Sequence, residues 1–202
     1  WAWLIGFPAS VGIAVLASPI LTTLFSYGEM SPYDISQSAW SLTAYALGLP
    51  AFILIKILAP GYFARQDTKT PVKIGIIALL TNIVLNLLLV GLLAHVGLAL
   101  ATSLSAWLNA ILLWRGLKNR GLISSVDANG LFVGRLLFAT CGMALLLVVL
   151  LESSSVWHSW SLFDRATNLI VNVLSAMAFY FAFLFALGMR ARDFWMSENT
   201  QT

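Results

Sequence analysis

The sequence predicts an all-α membrane protein in which six helices cross the bilayer. Of its 202 residues, 60% are hydrophobic and only 9% are charged, whereas soluble domains average about 25% charged residues. The apolar residues gather in six segments, and a helix needs roughly 20 residues to cross the hydrocarbon core. The basic residues lie in short runs between these segments, which is typical of membrane anchoring and not of a nucleic-acid partner.

The apolar segments set the bounds of the predicted spans. These spans cover about residues 3–27, 39–64, 71–93, 97–114, 131–151 and 165–189. The chain starts at Trp1, already within an apolar segment and without the pattern of a signal peptide. We therefore expect it to be the later part of a longer polytopic protein.

Prolines interrupt the first two spans. Pro8 and Pro19 lie in the first, and Gly48 and Pro50 lie in the middle of the second. A proline removes a backbone hydrogen bond and kinks a membrane helix, which is tolerated where neighbours satisfy the freed carbonyl. Breaks near the midplane can form a transporter site or can serve packing alone, and the sequence leaves both open.

Three connections carry recognisable local signals. Ser31 followed by Pro32 is typical of an N-cap with proline at the first helical position, so we expect a short surface helix there. Thr70 and Pro71 show the same pattern before the third span. Between the third and fourth spans, residues 94–96 leave room only for a tight connection.

Asn82 and Asn86 place two amides on one face of the third span, because they lie four residues apart. A buried amide in lipid usually bonds to a neighbouring helix, and we favour this interpretation over a substrate contact. Both remain candidates for a substrate cavity. The fourth span carries a packing stripe of small and polar residues, namely Gly97, Ala101, Ser105 and Asn109.

Lys56 is the ionisable residue that falls inside a predicted span. It precedes Arg65 by nine residues, so it lies roughly 13 Å along a helix from the cytoplasmic edge. An ammonium at that depth costs several kcal/mol unless it reaches water or an anion. Lys56 therefore lines a hydrated cavity that attracts a phosphate-bearing substrate, or its stem reaches back to the headgroups.

A polar hinge joins the second and third spans. Its cations Arg65, Lys69 and Lys73 are interpreted first as topology determinants. Contact with anionic lipid headgroups is the functional alternative. Asp67 is expected to pair with one of these cations or to cap the turn.

The basic residues also predict which side each loop faces. All but one of the basic residues in the loops and at the ends of the spans fall on one side, which the positive-inside rule makes cytoplasmic. The cytoplasmic set is Arg65, Lys69, Lys73, Arg115, Lys118, Arg120, Arg135, Arg190 and Arg192. Arg165 is the exception. The hinge and the C-terminus are thus expected in the cytoplasm, and Glu29, Asp34, Glu152, His158 and Asp164 on the outer side.

No group of residues in the sequence fits a catalytic or metal centre. The acidic residues all lie outside the cores of the predicted spans, and His95 and His158 lie at span edges without ligand spacing. We therefore expect no catalytic residue, no metal and no cofactor.

The segment Leu58–Ile74 reads LAPGYFARQDTKTPVKI and resembles the hinge motif of the MurJ (MviN) family of lipid II flippases. This family belongs to the multidrug/oligosaccharidyl-lipid/polysaccharide exporter superfamily. Residues 7–28 and 95–113 extend the resemblance, in order, over nearly the whole chain.

The resemblance implies a transporter of fourteen helices in two lobes. This chain would be its C-terminal lobe, from the ninth helix onward, with the N-terminal lobe as its partner. The implied activity moves lipid II, the undecaprenyl-pyrophosphate-linked disaccharide-pentapeptide, across the bacterial inner membrane by alternating access. By the same resemblance, residues 131–151 and 165–189 form a groove for the lipid tail.

Two alternatives remain open at this level. A related exporter would carry another lipid-linked polysaccharide or a small cation. A membrane scaffold subunit without transport activity would also suit kinked helices and small-residue stripes.

Overall fold

The computed structural model describes residues 2–26, 30–122 and 130–188. Within these ranges the chain is helical and contains no strand, which confirms the all-α class. The helices are α1 (Ala2–Val15), α2 (Ala17–Phe25), α3 (Pro32–Ala46), α4 (Leu49–Phe63), α5 (Lys69–Asn119), α6 (Gly130–Leu150), α7 (Ser154–Ser159) and α8 (Leu162–Ala186). Three helical stretches in the described part are long and apolar enough to cross a membrane, or four if the bent pair α1–α2 counts as one. The number of six crossings stays a prediction.

The first predicted span is broken into two helices rather than only kinked. The axes of α1 and α2 differ by 63°, and the chain turns at Leu16, whose ψ is 6°. Within α1, Pro8 has no N–H to offer the carbonyl of Leu4. The hydroxyl of Tyr180 in α8 donates to that carbonyl at 2.7 Å. A neighbouring helix therefore satisfies the group that the proline frees, as the sequence predicts.

A second break lies between α3 and α4, beside Gly48 and Pro50. Pro50 cannot donate to the carbonyl of Ala46, and the Ser10 hydroxyl of α1 donates to it at 2.5 Å. The Ser103 hydroxyl of α5 donates to the carbonyl of Ala44 at 2.6 Å. Two other helices thus supply hydrogen bonds where the backbone ladder is interrupted.

The start of α3 confirms one prediction and corrects another. The Ser31 hydroxyl accepts the Asp34 N–H at 3.2 Å, and the Asp34 carboxylate accepts the Ser31 N–H at 3.1 Å, so Ser31 caps the helix. The helix is not the short surface helix that we expect from the sequence. It continues into α4 as a stretch of 32 residues, Pro32–Phe63, because no helix breaker occurs before Gly48.

The helix α5 is a hairpin of two antiparallel arms, residues 69–93 and 95–119. The chain reverses at Ala94, where φ is 46° and ψ is −125°, and this confirms the predicted tight connection. Across the hairpin, a Cβ on Gly97 would lie 2.5 Å from the Leu89 carbonyl oxygen. Glycine at this position lets the two arms approach closely.

The two larger of the three hydrophobic clusters among the described residues join neighbouring helices. One joins α1, α6 and α8 through buried residues that include Leu4, Leu136, Met143, Leu147 and Tyr180. The other lies where α4 meets the open end of the α5 hairpin, through Leu58, Tyr62, Ile74, Leu113 and Leu117. The first arm of the hairpin stays mostly exposed, which suits a surface in contact with lipid or another lobe.

Candidate functional site

Lys56 projects from the exposed side of α4. The packed side of this helix carries Ala51, Leu58 and Tyr62, which are all buried. The ammonium of Lys56 makes no hydrogen bond or ion pair with the described part of the chain. Its role in a substrate cavity stays a prediction, because an unpaired exposed ammonium suits both a hydrated cavity and a headgroup contact.

The amides of Asn82 and Asn86 lie between the arms of the α5 hairpin. The Asn82 amide donates to the Ser105 hydroxyl on the opposite arm at 3.2 Å, and the Asn86 amide donates to the Asn82 side-chain oxygen at 3.0 Å. Asn82 therefore bonds to a neighbouring helical arm, as we favour from the sequence. The side-chain oxygen of Asn86 is buried and has no partner among the described residues.

Asp67 pairs with Arg120, which directly follows the second arm of the hairpin, and not with a cation of the hinge. Its carboxylate lies 2.6 Å from the Arg120 guanidinium, and it accepts the Thr70 N–H at 3.0 Å and the Thr70 hydroxyl at 2.7 Å. The N-cap that we predict at Thr70 is therefore wrong. The helix α5 begins at Lys69, after Thr68, and the side chain of Asp67 accepts the N–H of Thr70 in its first turn.

These contacts keep the Asp67 carboxylate charged. Hydrogen bonds from the hydroxyl and the N–H of Thr70, followed by that from Arg120, lower the pKa of Asp67 from 3.8 to about 2. The Arg120 guanidinium also donates to the Thr70 hydroxyl at 3.0 Å. The start and the end of α5 are thus tied together by charge-assisted hydrogen bonds.

The backbone presents Asp67 through a tight helix end. Gln66 adopts φ 58°, and the N–H of Asp67 donates to the Tyr62 carbonyl at 3.1 Å. This is the pattern of a Schellman C-cap, which usually places glycine at the left-handed position. Gly121, with φ 68°, ends α5 in the same way.

Tyr62 fills the space beneath this ion pair. The side chain is fully buried, its hydroxyl donates to the Leu113 carbonyl at 2.8 Å, and the Arg120 guanidinium lies 5.3 Å from the ring centre. Gly116 faces the Tyr62 hydroxyl, and a Cβ there would collide with it. We call Tyr62, Asp67, Thr70 and Arg120 the hinge latch.

The other basic residues around the hinge latch are exposed. The side chains of Arg65, Lys69 and Lys73 have no ion-pair or hydrogen-bond partner among the described residues. Lys118 lies 5.1 Å from the Trp114 ring centre, and Arg115 is also exposed. These cations form one basic face, while Arg190 and Arg192 lie outside the described residues.

Arg165 has a structural role that the sequence analysis misses. It is only 6% exposed, and its guanidinium donates to the His158 carbonyl at 2.8 Å and to the carbonyls of Thr22 and Ser26 at 3.4 Å each. The end of α2 carries the partial negative charge of a helix C-terminus, which attracts a cation. In the sequence, Arg165 is the one basic residue assigned to the outer side, and this is the signal that could have indicated its structural role.

The long apolar helical stretches, and the neighbouring side chains that donate to the carbonyls freed by Pro8 and Pro50, define a class. The chain is part of a polytopic α-helical membrane protein. The family model described as "Lipid II flippase MurJ" matches residues 2–171. The chain therefore belongs to the lipid II flippase MurJ family, and it is part of a multi-pass protein of the bacterial inner membrane.

Curated relatives cover almost the whole chain. A "Probable lipid II flippase MurJ" of Vibrio cholerae is 46% identical over 94% of this chain and 36% of its own length. A protein with the same description from Haemophilus influenzae is 43% identical over 93% of this chain and 37% of its own length. The "Lipid II flippase MurJ" of Burkholderia cenocepacia is 34% identical over the same shares of the two chains.

A solved structure shares the fold. "Lipid II flippase MurJ, inward closed conformation" matches with a TM-score of 0.70 and 22% identity, over 93% of this chain and 38% of that one. The chain thus spans little more than a third of the length of the proteins it resembles.

Proposed function

We propose that this chain is the C-terminal lobe of a transporter that moves lipid II from the cytoplasmic to the periplasmic leaflet by alternating access. The observation that carries this proposal is family membership over nearly the whole chain. The broken helices support it, because discontinuous helices line the substrate sites of many transporters. An exporter of another substrate and a membrane scaffold have no such support.

Depletion of the full-length protein in its host tests the proposal. Lipid II exposed on the outer leaflet is measured with a membrane-impermeant lipid II-binding probe. We expect depletion to leave lipid II in the inner leaflet and re-expression to restore its appearance outside. Normal outward movement during depletion would contradict the proposal.

We also propose that Lys56 lines a hydrated cavity between this lobe and an N-terminal lobe. Its support is the ammonium on the exposed side of α4, which has no partner among the described residues. A cation at this depth would attract a pyrophosphate group.

Replacing Lys56 with Met should lower the flipping rate about tenfold, which corresponds to about 1.4 kcal/mol. Lys118→Met, which removes a charge from the basic face, should change the rate little. Unchanged transport by Lys56→Met at normal expression would contradict the role.

The exposed cations Arg65, Lys69 and Lys73 are proposed to lie against anionic headgroups of the cytoplasmic leaflet. An attraction of about 1 kcal/mol per basic residue is usual at such a surface. The C-terminus lies on the same side in this proposal, which follows from the distribution of basic residues.

A further inference from the structure

A cavity of about 410 Å³ lies on the side of the lobe that bears the α2–α3 connection. Its walls come from the bend between α1 and α2, from one face of α3 and from His158 of α7. The volume falls at the lower end of the 300–1,000 Å³ that small-ligand sites usually have. The cavity therefore has room for a small organic group.

Polar side chains with free hydrogen-bonding capacity line this cavity. The hydroxyls of Ser18 and Ser36 and the imidazole of His158 make no hydrogen bond with the described part of the chain. Thr43 differs, because its hydroxyl already donates to the carbonyl of Ala39 at 2.9 Å. Three side chains on three elements thus offer donors and acceptors to an occupant.

One aromatic side chain, that of Trp40, also lines the cavity. Trp40 belongs to α3 and is 63% exposed. An indole offers a flat apolar face together with a polar N–H. The cavity therefore combines one aromatic surface with several neutral hydrogen-bonding groups, and the described residues that line it include no carboxylate.

We propose that this cavity binds one sugar ring of a lipid-linked head group on the outer side of the membrane. A sugar ring has an apolar C–H face that suits Trp40, and hydroxyl or acetamide groups that suit Ser18, Ser36 and His158. A lipid tail would leave these three polar side chains without partners, which costs free energy. The identity of the head group rests on the proposed flippase function, whereas the sugar chemistry rests on the lining of the cavity.

Cysteine protection in the purified full-length protein tests the sugar site. Ser36→Cys is introduced into a background in which the native cysteines, including Cys141, are replaced with serine. Its rate of reaction with a maleimide is measured with and without N-acetylglucosamine, and glycerol at the same concentration serves as the solute control. Tyr33→Cys is the matched variant, since Tyr33 lies on the same helix, is 70% exposed and does not line the cavity.

We expect N-acetylglucosamine to slow the labelling of Ser36→Cys several-fold and to leave Tyr33→Cys unchanged. Adding Trp40→Ala should remove the protection. Equal protection at both positions, no protection at Ser36→Cys, or protection that survives Trp40→Ala would overturn the sugar site. Because this readout does not depend on transport, its failure is distinguishable from failure of the flipping test.

Discussion

At the scale of single residues, Asp67 links the start of α5 to its end. The local sequence indicates that this carboxylate caps a turn or pairs with a cation, and it does both. Its ionic partner could not be predicted, because Arg120 is 53 residues away and only the reversal of α5 brings it close. The caps formed by Ser31 and Asp67 can thus be predicted from local sequence. Contacts between distant residues depend instead on how whole helices pack.

The lowered pKa of Asp67 predicts a pH dependence of stability. The folded-state pKa of about 2 lies below the ordinary 3.8, so the stabilisation is complete above the ordinary pKa and is lost as pH falls through this interval. We expect the thermal unfolding temperature in detergent to fall less steeply for Asp67→Asn than for the unmodified protein between about pH 4 and about pH 2.

A double-mutant cycle provides the control for this ion pair. Asp67→Asn and Arg120→Gln should each destabilise the protein, and the double variant should lose less than the sum. Additive losses, or identical pH profiles for Asp67→Asn and the unmodified protein, would contradict the ion-pair interpretation.

Gly116 predicts a steric effect that depends on a single oxygen atom. Gly116→Ala should destabilise the protein by about 1–3 kcal/mol, because its methyl group meets the Tyr62 hydroxyl. Tyr62→Phe alone should cost about 1 kcal/mol through the lost hydrogen bond to Leu113. In the Tyr62→Phe background, Gly116→Ala should cost much less.

Gly75→Ala in the same helix is the matched control for this test. No atom lies within 4 Å of a Cβ at Gly75, so alanine there should be neutral or slightly stabilising. A cost for Gly116→Ala that is the same with Tyr62 and with Phe at position 62 would show that the collision is not with the hydroxyl. Unfolding in detergent measures all four variants.

At the scale of helices, the carbonyls that Pro8 and Pro50 leave without a backbone donor are each satisfied by a side chain of a neighbouring helix. The sequence predicts the break near Gly48 and Pro50 and the requirement for a substitute donor, because proline chemistry is local. It does not predict that Ser10 is the donor, since that depends on how α1 packs against α3. The expected short surface helix fails for a related reason, because the cap at Ser31 marks where a helix begins and not where it ends.

The Ser10 hydroxyl should contribute to the free energy of unfolding mainly because Pro50 has no backbone N–H to donate. Ser10→Ala is expected to cost about 1–2 kcal/mol, since the buried Ala46 carbonyl then loses its donor. In a Pro50→Ala background the backbone N–H of residue 50 returns, and Ser10→Ala should cost less. Unfolding in detergent measures these costs. If Ser10→Ala costs the same in both backgrounds, the Ser10 hydroxyl does not replace the backbone N–H that Pro50 lacks.

The turn of the α5 hairpin predicts a stabilising substitution. Ala94 adopts φ 46°, a conformation in which a side chain is strained and glycine is not. Ala94→Gly should therefore raise the unfolding temperature, by the equivalent of about 1 kcal/mol. Ala101→Gly, in the middle of the second arm, should lower it instead, and a lower value for Ala94→Gly would contradict the strained turn.

At the scale of the whole molecule, composition is enough to predict an all-α membrane protein, and the hinge motif is enough to predict its family. The positions of Arg165 and of the cavity lined by Trp40 are not predictable in this way. Both arise where α2, α3 and α7 meet, and these elements carry no periodic signal that reports their mutual arrangement.

The proposed function depends most directly on which side of the membrane each end of the helices faces. Maleimide labelling of single cysteines in the full-length protein measures it most directly, in cells with and without permeabilisation of the inner membrane. We predict that Tyr33→Cys reacts in intact cells, whereas Lys69→Cys and Arg192→Cys react only after permeabilisation. If Lys69→Cys and Arg192→Cys were reached from opposite faces, the assignment of this chain as a C-terminal lobe with a cytoplasmic hinge would be wrong.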